Sequence, residues 1–368
     1  MVEWKKLGEV CKVHTGSQLN RAEMMDLGLY PVVNGGRDYS GFTDNYNEEA
    51  CNITISQGGE SAGFVNWINR KFWAGAHCYV VEDTPVFNKR FLYHTLKENE
   101  RYLQLSKQGA GIPGLNRDTL YKLIIPVLSI DEQIKIVDKL DTFTSSIQNL
   151  KEQIALRRKQ YDYYRDHLLD LEGKEEVEMK TLGEIGEFIR GNGIQKSDFV
   201  DDGFGCVHYG QIHARYGFSA KETISKIEES LYKKCKKAKK GDVVLATTSE
   251  DAEGVAKPFV WLGDDEVAVS GDAFIFHHNQ VGKFMGHQFL SHKFMQFKVK
   301  YATGAKVVRI SGDNMAKFIV ALPSISEQQR IVDILDKFEE SVQNLEAQLA
   351  EREKQYEYYR NKLLTFNE

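Results

Sequence analysis

One block of this chain is written twice. Residues 124–169 and 319–364 align without a gap, and 26 of the 46 positions are identical. The shared phrases include S-I-x-E-Q, I-V-D-x-L-D-x-F, Q-N-L and K-Q-Y-x-Y-Y-R. Two shorter echoes keep the same order. EWKKLGEVCKVHTG (3–16) answers EMKTLGEIGEFIRG (178–191), and GAGIPGLNRD (109–118) answers GAKVVRISGD (304–313). Between these anchors, over roughly 17–105 and 192–300, the halves show no convincing similarity. The order is variable block, fixed block, variable block, fixed block, with a period too long for a solenoid.

The fixed blocks carry the spacing of a helix with one narrow apolar seam. Leu140, Phe143, Ile147, Leu150, Ile154, Tyr161, Tyr164, Leu168 and Leu171 alternate in steps of three and four, with Arg157 filling the remaining slot. Leu335, Phe338, Val342, Leu345, Leu349, Tyr356, Tyr359, Leu363 and Phe366 repeat the pattern, with Arg352 in the same slot. This is a coiled-coil heptad seam, in which a recurring arginine reads as a register-setting polar layer with a snorkelling stem. The Tyr pairs read as seam residues whose hydroxyls reach the rim. Ser129 with Glu132, and Ser324 with Glu327, predict capping boxes at the helix starts. About forty helical residues span about 60 Å. The nearest partner for such a seam is its own copy. The expected fold is therefore α/β, with two α/β domains separated by two long helices that form an antiparallel intramolecular coiled coil, pseudo-twofold symmetric. The domain boundaries follow: 1–128, a central helical spacer 129–172, 173–323, and a second spacer 324–368.

The variable blocks read as mixed strand and helix. Residues 51–68 and 241–263 each look like a β-branched strand, a Gly-rich turn and a second strand. Residues 88–106 and 281–301 each look like one amphipathic helix.

Charge is unevenly placed. The net charge is −5, but residues 1–130 balance 14 basic against 14 acidic side chains, and residues 179–325 hold 20 against 17. The acidity lies in the repeated helices and the linker GKEEVE, which leaves room for a basic surface on the domains. No apolar run approaches membrane length, the start lacks a secretory core, and five cysteines without a C-x-x-C pair suit reduced thiols, so a cytoplasmic location with no membrane partner is expected.

A catalytic centre is not apparent. There is no G-x-x-x-x-G-K-[ST], no H-E-x-x-H and no G-x-S-x-G. No Asn/Asp-Pro-Pro-aromatic motif of an amino-methyltransferase occurs. His277, His278, His287 and His292 lie close in sequence, without Cys or carboxylate partners at ligand spacing, so no metal site is expected.

The loops instead offer side chains suited to base edges and phosphates. In the first block these are Asn34, Arg37, Gln57, Arg70, Lys71, Lys107 and Gln108. In the second they are Gln195, Lys196, Tyr209, Gln211, Arg215, Thr247, Thr248, Lys306 and Arg309, with Lys236 and Lys237 from the run LYKKCKKAKKGD (231–242). Arg and Lys bond guanine O6/N7, and Asn and Gln bond adenine N6/N7. A lysine run is more often a solvated face than a phosphate site, and both readings apply to this one.

The order of these motifs resembles the specificity (S) subunit of type I DNA restriction-modification systems. The resemblance covers the whole chain, and the E-Q…I-V-D-x-L-D helices are its most specific part. It implies two target-recognition domains, each reading half of a bipartite, asymmetric site in double-stranded DNA. It implies that the helices set the spacer and dock two methyltransferase (M) subunits, with Tyr161, Tyr164, Arg165, Tyr356, Tyr359 and Arg360 as candidate interface residues. It implies a chain without catalysis or cofactor of its own. S-adenosylmethionine and adenine-N6 chemistry would lie on M, and ATP and Mg on translocating restriction (R) subunits. DNA-facing segments would be 55–63, 209–212, 247–257 and the two echo loops, the first of which departs from the family's commoner pattern by reading I-P-G-L-N. Two other readings compete: an enzyme with a cryptic centre such as a metal-dependent nuclease, and a coiled-coil scaffold that binds only proteins.

Overall fold

The computed structural model describes residues 2–109, 113–304 and 307–366. The chain divides into two compact units, one of residues 1–152 with 346–368 and the other of residues 153–345. Two 40-residue helices, Ile130–Leu169 (the central helix) and Ile325–Leu364 (the terminal helix), pass from one unit into the other. Among the described residues no helix is long and apolar enough to cross a membrane.

Both units follow one sheet plan. In the first, a four-stranded antiparallel sheet runs Val13–Thr15, Cys78–Val81, Asn52–Ser56, Val65–Ile68. In the second, the same order appears as Gly186–Arg190, Ala273–His278, Val243–Ala246, Lys257–Trp261, with Ser219–Ala220 added at the edge. A two-stranded ladder closes each domain, Glu3–Lys6 on Ile124–Val127 and Glu178–Thr181 on Ile319–Leu322. The echo at the start of each half is therefore a strand that pairs with the strand leading into its long helix.

The segments 88–106 and 281–301 are not single helices. The first breaks into Lys89–Glu98 and Glu100–Leu105 at Asn99, whose Nδ2 donates to Thr95 O at 2.9 Å. The second breaks into Gly282–Leu290 and His292–Tyr301 at Ser291, which turns extended (ψ 151°) while its Oγ accepts from Phe294 N at 3.2 Å. Asn and Ser end a helix because their short polar side chains replace the lost main-chain partners. A periodicity that continues across the break hides it.

The repeated E-Q of the fixed blocks has a local cause. At Ser129 the capping box forms: Glu132 N donates to Ser129 Oγ, and Ser129 N and Oγ donate back to the Glu132 carboxylate. At Ser324 half of it forms, since Glu327 N donates to Ser324 Oγ but the Glu327 carboxylate turns to Arg330. The glutamines go inward. Gln133, fully buried, accepts from Asn88 N at 2.7 Å and donates to Val86 O and Leu128 O, both at 2.9 Å. Gln328 does the same with Val281 N, Gln280 Oε1 and Pro323 O. Each glutamine ties its helix to the domain before it.

In each unit the two helices run in opposite directions. In the first, Phe143 stacks on Tyr359 (5.1 Å) and Lys151 pairs with Glu353 (3.1 Å), so one index rises as the other falls. In the second, Tyr164 stacks on Phe338 (5.2 Å). The arginine slots are occupied in matching fashion, Arg352 lying 5.7 Å from the Phe143 ring and Arg157 5.9 Å from the Phe338 ring. Each arginine thus covers an aromatic of the other helix, in agreement with the expected polar layer.

Each unit's core is closed by the start of one helix and the end of the other. Val137, Leu140, Tyr356 and Leu364 join the core of the first unit, and Ile331, Val332, Leu335 and Leu169 that of the second. Polar contacts seat these ends. In the first unit, His94 bridges the Tyr356 hydroxyl (2.8 Å) and Asp141 (2.8 Å), while Arg90 grips Asp141 and Arg360 binds Glu98. Burial would raise the Asp141 carboxyl, but hydrogen bonds from His94 and Arg90 outweigh it and hold it down to about 2. In the second unit, Lys283 pairs with Asp336 (2.9 Å), and His287 meets the Tyr161 hydroxyl at 3.2 Å without a carboxylate.

The buried histidines make the second unit acid-sensitive. Burial pushes His278 down to about 4 and His287 down to about 3. Because the folded state binds protons more weakly than the unfolded chain, whose histidines titrate near 6.5, stability is full above that pH and falls as pH drops toward these values. The expected slope is about 1.4 kcal/mol per pH unit for each histidine. Urea unfolding between pH 7 and 4 measures it, and His287→Phe should lower the slope by about 1.4 kcal/mol per pH unit.

Candidate nucleic-acid interface

In the first unit, one end of the four-stranded sheet gathers loops from distant parts of the chain. The turn after Asn52–Ser56 is tied to the segment 107–115 by Gly59 N to Pro113 O (2.9 Å), Leu115 N to Gln57 O (2.7 Å) and paired bonds between Gln108 and Gly114 (2.9 Å each). Lys107 Nζ donates to Glu60 O at 3.0 Å. Gln57 N donates to His77 O (2.9 Å), and His77 N donates to Asn34 Oδ1 (3.2 Å). Asn34, Gln57, Lys107 and Gln108 are thereby brought to one place, and Arg37 lies exposed with its guanidinium 5.5 Å from the Phe64 ring of the same turn. Arg117, absent from the sequence-based set, joins them by donating to Thr15 Oγ1 (2.8 Å) over the Tyr79 ring.

Arg70 and Lys71 do not belong to this end. They follow Val65–Ile68, whose Ile68 pairs with Asn52, at the opposite end of the hairpin from Gln57. Arg70 donates to Leu29 O (2.7 Å), and Lys71 to Tyr46 Oη (2.8 Å) and Glu49 (3.2 Å). Five strand residues separate the two ends, on the order of 17 Å.

The second unit builds the same framework from other side chains. Thr248–Ser249 pairs with Val308–Arg309, opposing Thr248 to Arg309, and Thr303 pairs with Arg309. The Thr303–Arg309 bridge lies at the repeat positions of Gln108–Gly114. The echoed glycine also recurs: Gly109 has φ +117° and Gly304 +115°, and a Cβ on Gly304 would meet Val307 O at 2.0 Å. Only glycine turns the chain here without strain. Buried Lys298 holds the 247–257 segment from beneath by donating to Glu253 O and Val255 O, and burial lowers its ammonium to about 8.

A cleft of about 330 Å³ opens at this end, lined by Arg190, Thr247, Thr248, Asp272, Thr303 and Arg309 among others. A neighbouring concavity shares Arg190 and Asp272 with it and adds Gln195 and Tyr209. His213 meets Thr248 O at 2.9 Å, which sets exposed Arg215 beside the same strand. Lys196 is exposed near His208, and Lys236 is exposed with its main-chain N on Asn192 Oδ1.

Two expectations are revised. Gln211 is only 6 % exposed and donates to Ser225 Oγ at 2.7 Å, so it holds the domain together instead of facing outward. The lysine run is largely occupied: Lys233 pairs with Glu229, Lys240 with Asp264 and Lys239 with Glu266, and Lys237 lies over the Tyr232 ring. Lys306 lies outside the described residues. Arg190 and Asp272 escaped notice in the sequence. The available signal for Arg190 was its place in the echo, immediately before the repeated glycine of HTG and IRG.

The four close histidines have separate tasks. His277 bonds Asp242 (2.8 Å), His278 packs on Phe276, His287 stacks on Phe218, and His292 meets Gln296. Among the described residues no group of three or more His, Cys, Asp or Glu side chains is placed to hold a metal ion.

Of the candidate interface residues on the helices, Arg165 and Tyr356 are 8 % exposed and Tyr161 and Arg360 are engaged within their own units. Tyr164 and Tyr359 are 43 % and 41 % exposed, at equivalent repeat positions.

The repeat seen in the sequence appears again in comparison with known proteins. The family model described as type I restriction modification DNA specificity domain matches residues 1–156 and again 174–353. The chain is 28% identical over 396 residues to a putative type I restriction enzyme specificity subunit of Haemophilus influenzae, covering 100% of this chain and 96% of that one. It is 27% identical over 386 residues to the specificity subunit of the Escherichia coli type I restriction enzyme EcoR124I/EcoR124II, covering 99% and 94%. Among solved structures it is similar to the S subunit of a type I restriction-modification system from M. genitalium, with TM-score 0.60, 18% identity and coverage of 100% and 97%. A chain from a structure of type I R-M complex assembly and conformational transition gives TM-score 0.58 at 15% identity, covering 99% and 97%.

The gathered cations separate from the remote ones by experiment. Arg37→Ala or Lys107→Ala should weaken duplex-DNA binding roughly three- to tenfold and lower the salt slope by about one. Arg70→Ala should leave both unchanged in the same titrations.

Proposed function

Since this chain belongs to the family of type I restriction-modification DNA specificity domains and carries that domain twice, we propose that it is a DNA-specificity subunit whose two units each read one half of a bipartite, asymmetric site in double-stranded DNA. The observation that carries this reading is a shared loop framework bearing different side chains, with Gly114 in one unit where Arg309 stands in the other. A common scaffold supplies similar approach to the duplex, and unlike side chains supply unlike base preferences.

Lys and Arg at the loop ends neutralise phosphates and release counterions, which gives affinity without sequence information. Arg, Gln, Asn and Thr then discriminate by hydrogen bonds to base edges. The duplex is not palindromic under this reading, because the two heads are not copies of each other.

The helices set the spacer between half-sites and dock two methyltransferase subunits, with Tyr164 and Tyr359, which stack in the seam yet stay partly exposed, as the repeated docking positions. Tyr161, Arg165, Tyr356 and Arg360 support that surface from within by seating the helix ends. Adenine-N6 methylation with S-adenosylmethionine belongs to the M subunits, and ATP-dependent translocation and cleavage to R subunits. This chain contributes recognition and assembly.

Long-read detection of N6-methyladenine, with and without this gene, tests the reading: a bipartite methylated motif should vanish when the gene is deleted. Inserting four residues at equivalent points of both helices adds about 6 Å and should lengthen the spacer by one or two base pairs while leaving both half-sites intact. A motif that survives deletion of the gene contradicts the first expectation, and an unchanged spacer contradicts the second.

A further inference from the structure

We infer that the cleft of the second unit reads a G·C base pair through Asp272 together with Arg309 and Arg190. The inference rests on the reading of this chain as a DNA-specificity subunit and assigns a base pair to one of its heads.

A carboxylate stands in an unexpected place in this cleft. A surface that only grips phosphates is harmed by a negative charge. Asp272 nevertheless lines the cleft with Arg190 and Arg309. Among the described residues neither Asp272 nor Arg309 makes an ion pair, and the Arg190 Nε donates to a main-chain oxygen, that of Gly271, at 2.9 Å. Two guanidiniums and a carboxylate therefore line one cleft with no direct ion pair to Asp272 or Arg309 among the described residues.

The main chain keeps them in this state. Asp272 O accepts from Thr247 N (3.1 Å) and Thr247 Oγ1 (3.3 Å), which fixes its backbone. Thr248 is paired across the ladder with Arg309. Arg190 holds the residue before Asp272. The acceptor thus stands between the anchors of the two donors, on elements that belong to the sheet and its adjoining ladder.

This donor and acceptor set matches one base pair better than the others. In the major groove, guanine offers two acceptors, O6 and N7, which an Arg meets in bidentate fashion, and its cytosine offers one donor, N4–H, which a carboxylate accepts. An A·T pair asks instead for a donor and acceptor on one side chain at the adenine. The amide in this cleft, Asn314, already accepts from Lys317 Nζ at 2.9 Å through Oδ1. The first head has Gly114 at the position of Arg309, so the same reading does not extend to it.

The test uses the whole chain assembled with its methyltransferase subunits, reading the methylated motif by long-read sequencing and the rates on oligonucleotides varied one pair at a time. The wild-type motif should contain a G·C pair whose discrimination falls about ten- to hundredfold in Asp272→Asn and in Arg309→Gln. Asp272→Glu should keep the preference, and the half-site read by the first unit should stay intact in all three. An unchanged motif in Asp272→Asn overturns the inference and leaves the specificity-subunit reading standing. Tighter binding of every sequence by Asp272→Asn, with the base preference preserved, also overturns it, since the carboxylate would then act only by repelling phosphate. Loss of the motif-dependence on this chain altogether would remove the underlying reading as well.

Discussion

The fold depends on the way each domain seizes the far end of a helix that starts on the other repeat. In the first unit, the terminal helix is held where Tyr356 meets His94, and His94 in turn meets Asp141 at the start of the central helix. In the second unit, Tyr161 of the central helix meets His287, and Asp336 at the start of the terminal helix meets Lys283. Neither core is closed by sequence-local elements alone, because Leu364 completes one and Leu169 the other. A strongly repeated helix follows naturally, because its inward positions serve a seam, a domain core or a cap in both copies.

The two seats are alike in place and unlike in chemistry. His94 has a carboxylate on one nitrogen and a phenol on the other, so both ring nitrogens are satisfied. His287 has only the phenol, and its Nε2 is buried without a partner. A buried polar atom left unpaired costs roughly 1–3 kcal/mol. The second unit tolerates this because Phe218 and Tyr161 pack on the ring and supply apolar area. Duplication thus preserved the mechanical function of the contact while its polar satisfaction diverged.

The loop ends of the two sheets follow the same logic. The main-chain bridges at Gln108–Gly114 and Thr303–Arg309 recur at equivalent positions, and so do the left-handed glycines Gly109 and Gly304. Side chains mounted on this framework are free to change, since the backbone that presents them does not depend on their identity. Gln57, Lys107 and Arg37 occupy one head, and Arg190, Asp272 and Arg309 the other.

The amino-acid sequence by itself determined the duplication, the two long helices, their antiparallel seam with Arg157 and Arg352 in matching slots, and the strand-turn-strand segments. Those are periodic or local signals, carried by residues a few positions apart. It did not reveal the breaks at Asn99 and Ser291, because apolar spacing continues through both. Nor did it separate Arg70 and Lys71 from Arg37 and Lys107, or mark Arg190 and Asp272 as neighbours of Arg309. Only the tertiary structure decided these, because the loop ends are assembled from segments tens to more than a hundred residues apart, and sheet register sets which of their charges come together.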